Sequence, residues 1–355
     1  MSKKYFRQCF VNFLSLFVLC LLLITSTNAQ RELEVDEFGN NPYYKYKQAK
    51  ALPCGQRDEA VKIGKELVEK YGNDDSNKSV IDFVRQDIPK IEEADRICRR
   101  NNRYDNAYKN KNWNDFFLVS KEIVAEEGDK PIALDVILTL DSVGFDRASV
   151  DKDDTFNSDT LYYSNLAIQR IEGEQKSMTG KWGVFVPFNT RDNALGWMNY
   201  IIGWLSYNKT NQKKEALEYF YKAVQYKGDN FKDLASYLLI GSLYSDELYR
   251  FSDENDKRND EFEKKLTLMK ANADRALIAY AKAYDMEKDA RKYSLYRRLE
   301  TLYKFRFNLR ADEKPAGLNQ FIPQLIIQPL PKPTDPFEPI FEDTTEIRIH
   351  QNKGQ

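Results

Sequence analysis

The chain has 355 residues, with 54 basic and 55 acidic side chains, a single histidine and four cysteines. A near-neutral balance argues against a polyanion-binding protein, so nucleic acid is not an expected partner. With His350 as its only histidine, the chain offers no Ser-His-Asp or Cys-His catalysis and no histidine-rich metal site.

Lys3, Lys4 and Arg7 precede an apolar run over residues 10–24, interrupted only by Asn12 and Ser15 and followed by Thr27, Asn28 and Ala29. Charged, apolar and small regions in that order predict a signal peptide over residues 1–29 and a secreted or periplasmic protein. The run is short of the roughly 20 residues a membrane span needs, so no stable span is expected once the signal is removed. The remainder carries 51 basic against 55 acidic residues, a net charge of −4. Cys9 and Cys20 fall within the signal, leaving Cys54 and Cys98 as a candidate disulfide that would stabilise by roughly 4 kcal/mol in the chain-entropy treatment. Two separate buried thiols are the alternative.

Residues 30–42, acidic and punctuated by Gly39, Asn40, Asn41 and Pro42, predict a flexible lead-in. Helical hairpins are expected over residues 43–173. Ala60, Ile63, Gly64, Leu67 and Val68 mark a helix over 58–71, and Val80, Phe83, Val84, Ile88 and Ile91 mark another over 79–97, kinked or broken at Pro89. Further helices are expected over 104–110, 113–126, 131–144 and 159–172, the third opening on Pro131. Nothing alternates with strands as a parallel sheet requires. Residues 174–191 predict an aromatic loop around Trp182, Phe185 and Phe188, folded back on the helices. The charged stretch 252–265 implies either over-long helices or an insertion. Seven of the twelve prolines follow Arg310, so residues 311–355 read as a proline-rich, partly disordered tail whose Phe321, Ile322, Leu325, Ile326 and Ile327 could pin its start to the body.

Between residues 192 and 310 one spacing occurs twice: Ala216, Phe220, Ala223 and then Ala276, Tyr280, Ala283. A helix presenting small, large, small side chains on one face lets a neighbour approach closely while the ring fills the gap. Tyr237, Ile240, Gly241 and Tyr244 share a face of the helix before the second copy, and Ile202 and Gly203 take the matching places before the first. This pairing resembles the tetratricopeptide repeat family over residues 192–307. The chain departs from the family at Asn199 and Ser206, where large aromatics are usual, and its Gly203 to Ala216 spacing is one residue longer.

The resemblance implies an all-α, tetratricopeptide-like helical-hairpin solenoid in which the first helix of each pair lines a concave face. It places Trp197, Tyr200, Trp204, Tyr207 and Asn208 on that face, followed by Ala235, Leu238, Ser242, Ser245 and Asp246. The function it implies is a non-catalytic scaffold that holds a protein or peptide partner, with no cofactor and no metal. An aromatic stripe also suits stacking on sugar rings, which makes a glycan-binding envelope protein the alternative. Because Ile201, Ile202 and Leu205 cover the other side of the helix, burial of the whole stripe is the competing expectation.

A third possibility is a helical glycan-cleaving enzyme using a carboxylate, for which Asp135 and Asp141 come nearest because they sit in an apolar run. Solvated or capping roles are the simpler expectation for both. Asp151 and Asp153 do not begin a calcium loop, since Phe156 and Tyr162 replace its glycine and closing glutamate. Asn77 and Asn208 each head an N-glycosylation pattern.

Overall fold

The computed structural model describes residues 41–178, 185–226, 228–252 and 260–342. The signal and most of the lead-in, with Cys9 and Cys20, lie outside the described residues, as do Trp182, the middle of the charged stretch and His350. Twelve α-helices and no strand occur among the described residues. None of these helices is long and apolar enough to cross a membrane. The chain divides into two compact units between Val119 and Ser120.

In the first unit α1 (Pro42–Lys50) packs on α2 (Asp58–Tyr71), and α2 on α3 (Lys78–Lys109). Asn41 caps α1 by accepting from the amides of Tyr43 and Tyr44 at 2.8 and 3.2 Å, beside a proline at the first helical position. Tyr46 is fully buried against Gly64, where a Cβ atom would lie 2.9 Å from its ring. Its hydroxyl donates to Asp87 at 2.7 Å, and Lys50 pairs with the same carboxylate. Cys54 and Cys98 form a disulfide across a sequence separation of 44, with Cα atoms 5.9 Å apart. Asp95 supports that junction, accepting from the Gly55 amide at 2.6 Å and from Arg99.

The break expected at Pro89 does not occur: α3 runs unbroken for 32 residues and absorbs the separate helix expected over 104–110. Pro89 is exposed, so the carbonyl that loses its amide partner faces water, while Ile88 and Ile91 bury their side chains on the opposite face. The helix α4 (Trp113–Glu127) follows, and within the first unit Phe116 stacks on Tyr104 with ring centroids 5.0 Å apart.

The second unit continues with α5 (Pro131–Asp146), α6 (Asn157–Glu172), α7 (Arg191–Asn208), α8 (Lys213–Gln225), α9 (Asn230–Ser252), α10 (Asp260–Met286), α11 (Arg291–Arg306) and α12 (Leu318–Ile327). From α5 to α11 each helix packs on its successor, while α5 also touches α7 and α7 touches α9. The repeated spacing explains the close pairs. Ala216, Phe220 and Ala223 are all fully buried, and a Cβ at Gly203 of α7 would stand 2.9 Å from the Phe220 ring. Tyr280 sits in the same way on Gly241 of α9, at 2.8 Å. A glycine on one helix thus receives the ring of the next, so the axes approach without a side chain between them.

Polar locks fix the ends. Lys232, fully buried, donates to the carbonyls of Ala223 and Tyr226 at 3.0 and 2.7 Å, capping the C-terminus of α8. Gly196 leaves the space its ammonium fills. The charged stretch resolves toward over-long helices, with α9 spanning 23 residues and α10 spanning 27.

After Arg310 the start of the proline-rich segment is pinned to the body as Phe321, Ile322 and Leu325 suggested, all three being buried, whereas Ile327 is exposed. The segment's first section forms α12 on α10, and residues 328–342 continue as an extended strap with Leu330, Phe337, Ile340 and Phe341 packed on the core. Proline kept the strap out of a helix but did not keep it off the protein.

Candidate binding face

Helix α7 carries the aromatic residues that the sequence singled out, and α5 and α9 pack beside it. Trp197, Tyr200 and Trp204 lie at successive turns of α7 and converge on Phe145 near the end of α5. Ring centroids stand 6.1, 5.6 and 5.4 Å from Phe145, at interplanar angles of 62°, 71° and 88°. These are the edge-to-face arrangements that aromatic quadrupoles favour.

The stripe is split by burial. Tyr200 is only 4% exposed and continues inward to Phe220 at 5.9 Å, so it belongs to the core and not to a contact surface. Burial pushes its phenol up to about 12. Trp197, Trp204 and Tyr207 are half-buried, and Asn208 is exposed with its amide donating to the Trp204 carbonyl at 3.0 Å. Neither tryptophan indole N–H donates to a protein acceptor among the described residues.

Two further rings extend the face. Phe231 of α9, 61% exposed, lies 6.3 Å from Trp197 and within 16° of parallel. Phe188 covers the same indole from the aromatic loop at 5.9 Å, and its carbonyl accepts from Asn193. Phe188 therefore covers the Trp197 end, while Lys209 stands over Trp204 at 5.8 Å and pairs with Asp154. Phe145 and Phe231 were missed in the sequence because each joins the cluster from another helix. The half-buried Ser242 and Asp246 lie farther along α9, where Asp246 pairs with Lys213 at 3.5 Å. Ser245 is buried and donates to the Gly241 carbonyl.

Of the carboxylates weighed for catalysis, neither is solvated or a cap. Asp141 is fully buried in α5 with no hydrogen-bond partner on either oxygen, and burial raises its carboxyl well above the usual range despite nearby Ser164. Asp135 accepts from the Met178 amide at 3.0 Å and is raised by burial to about 7. A group with no exposed area cannot touch a substrate, and Asp135 is spent fastening the start of the aromatic loop.

Asp141 yields a stability prediction. Its folded-state affinity for a proton exceeds that of the unfolded chain, so stability falls as pH rises from about 4 through the folded-state titration. Asp141→Asn removes the charge at constant volume and is expected to stabilise by about 1–3 kcal/mol at pH 8 and by less at pH 5. Urea unfolding at the two pH values measures this, and a variant less stable than the parent at pH 8 contradicts it.

Two other features could have been sites. Asp151 and Asp153 both pair with Arg147, at 2.6 and 2.7 Å, and no cluster with metal-binding geometry occurs among the described residues. In the first unit an open cleft of about 440 Å³ is lined by Asn102, Asn106, Asn110 and Asn112, with Arg103 paired to Asp115 at its edge. No family model, curated protein or solved structure matches the chain.

Proposed function

We propose that this chain is an exported, non-catalytic scaffold of tetratricopeptide-like hairpins that holds a protein or peptide segment on the face of α5, α7 and α9. The observation that carries the reading is the half-exposed pair Trp197 and Trp204, clasped around Phe145 with neither indole N–H donating to a protein acceptor among the described residues. Rings already held by their neighbours lose little entropy on binding, which is why tryptophan dominates interface energetics. The order of packing, with α5 touching α7 and α7 touching α9, and with Gly203 of α7 and Gly241 of α9 each taking the next helix's ring, supports the hairpin-array part. Export is supported by the residue order of the N-terminus and by the Cys54 to Cys98 disulfide.

Peptides selected from a displayed random library on the immobilised protein provide the test. Trp197→Ala and Trp204→Ala are each expected to weaken the selected peptides on the order of 30-fold, the size of a hot-spot loss of about 2 kcal/mol. Thermal melts confirm that both variants stay folded. Binding that survives both substitutions unchanged rejects this face, and selective retention of oligosaccharides in a parallel glycan panel would replace the peptide with a sugar.

A further inference from the structure

The strap after α12 is held in a manner that hydrophobic packing alone does not require. Three charged side chains of α10 and α11, each at most 2% exposed, converge on its main chain. Asp274 accepts from the amides of Ile340 and Phe341 at 2.7 and 3.2 Å through one oxygen, and from Arg306 at 2.6 Å through the other. Arg306 also donates to the Phe341 carbonyl. Arg275 donates to the Pro336 carbonyl at 2.7 Å and to that of Glu338 at 3.4 Å, while its guanidinium lies 4.4 Å from the Phe337 ring centroid.

Side chains of the strap supply a second layer of fit. Phe337 meets Tyr244 at 6.3 Å and Phe341 meets Phe321 at 4.9 Å. From Pro331 to Phe337 half-buried and exposed residues alternate around a turn, closed by the Asp335 amide donating to the Lys332 carbonyl at 3.0 Å. Glu338 and Pro339 point to solvent. Main-chain hydrogen bonds from buried charges, with pockets for spaced aromatic residues, are the chemistry by which proteins take up extended peptides.

We propose that Asp274, Arg275 and Arg306 form a peptide-binding site, that residues 335–341 are its ligand held in cis, and that it accepts in trans an extended Phe-x-Pro-Ile-Phe-type segment of a partner protein. Eight residues, three of them proline, join the end of α12 to Pro336. A tether that short presents the strap at an effective concentration on the order of millimolar. The identical strap of a second copy at micromolar concentration cannot compete, so the trans ligand is a partner segment that binds more tightly or is presented several times over. The site takes its charged groups from α10 and α11 and only Tyr244 from α9, so its test does not involve Trp197 or Trp204.

A specific protease site inserted after Leu330 in the full chain lets the strap be cut after folding. The expected result is that the cut protein exchanges its fragment for a labelled synthetic peptide of residues 331–342, with saturable binding. The uncut chain should bind the same peptide at least 10-fold more weakly. Peptides with Phe337→Ala or Phe341→Ala should lose at least 10-fold, whereas Glu338→Ala should bind as the parent, and these comparisons leave the protein unaltered. Failure of the peptide to bind, retention of the fragment without exchange over a day, or indifference to both phenylalanines overturns the proposal. A concentration-dependent dimer of the uncut chain that disappears with Phe337→Ala overturns the partner assignment in favour of a second copy.

Discussion

Replacing Arg306 with alanine is expected to destabilise the second unit by about 3–5 kcal/mol, the usual cost of removing one partner of a buried ion pair. Arg306 and Asp274 have no exposed side-chain area and meet at 2.6 Å. Burial already raises the Asp274 carboxyl, and the Arg306 guanidinium with the Ile340 and Phe341 amides works against that shift. Without the guanidinium the carboxylate stays buried with less compensation, and its folded-state affinity for a proton rises further. Stability of the variant should therefore fall as pH increases from about 4, so the loss measured by urea unfolding is larger at pH 8 than at pH 5. The double variant Asp274→Leu with Arg306→Met removes both charges and should recover most of the loss. A single-variant cost below about 1 kcal/mol would show that the pair does not hold the strap and α11 to α10.

Phe220→Ala is expected to cost about 3–5 kcal/mol, as for other buried phenylalanines truncated in close-packed cores. The ring fills the space above Gly203, between Ala216 and Ala223, and these neighbours are too small to collapse into the void. The reciprocal change, Gly203→Ala, puts a methyl 2.9 Å from the same ring and should cost about 1–3 kcal/mol by overpacking. Tyr219→Ala next door, half-buried with its hydroxyl donating to Asn165 at 3.3 Å, should cost about 1 kcal/mol, well below Phe220→Ala. Chemical unfolding of the three variants measures the ranking. Equal losses at Phe220 and Tyr219 would mean that the glycine-ring contact does not hold α7 against α8.

Much of the helical architecture was legible because its signals are local. The bounds of α2 follow from Asp58 at its start and Gly72 after its end, and α5 follows from Pro131 and an apolar run. Pro89 misled because a proline's cost depends on whether its missing bond faces water, which sequence does not reveal. The strap was legible only in part: its five prolines forbid regular structure, but whether an irregular segment docks depends on what the body offers it. Here the body offers Asp274, Arg275 and Arg306, whose burial no local spacing marks. The aromatic stripe was found, yet its division into a buried Tyr200 and half-exposed Trp197 and Trp204 follows from Phe145, Phe188 and Phe231, contributed by three other segments.

The sequence by itself determined that the described residues are helical, the approximate bounds of helices such as α2, α4 and α5, and which small and aromatic residues let neighbours approach, since these depend on side chains three or four positions apart. Only the tertiary structure decided which charged groups are buried, that Asp141 is among them with only Ser164 nearby to compensate, and that the proline-rich strap lies bound along α10. Each of these depends on desolvation and on partners tens of residues away, and neither is encoded in the local spacing of the chain.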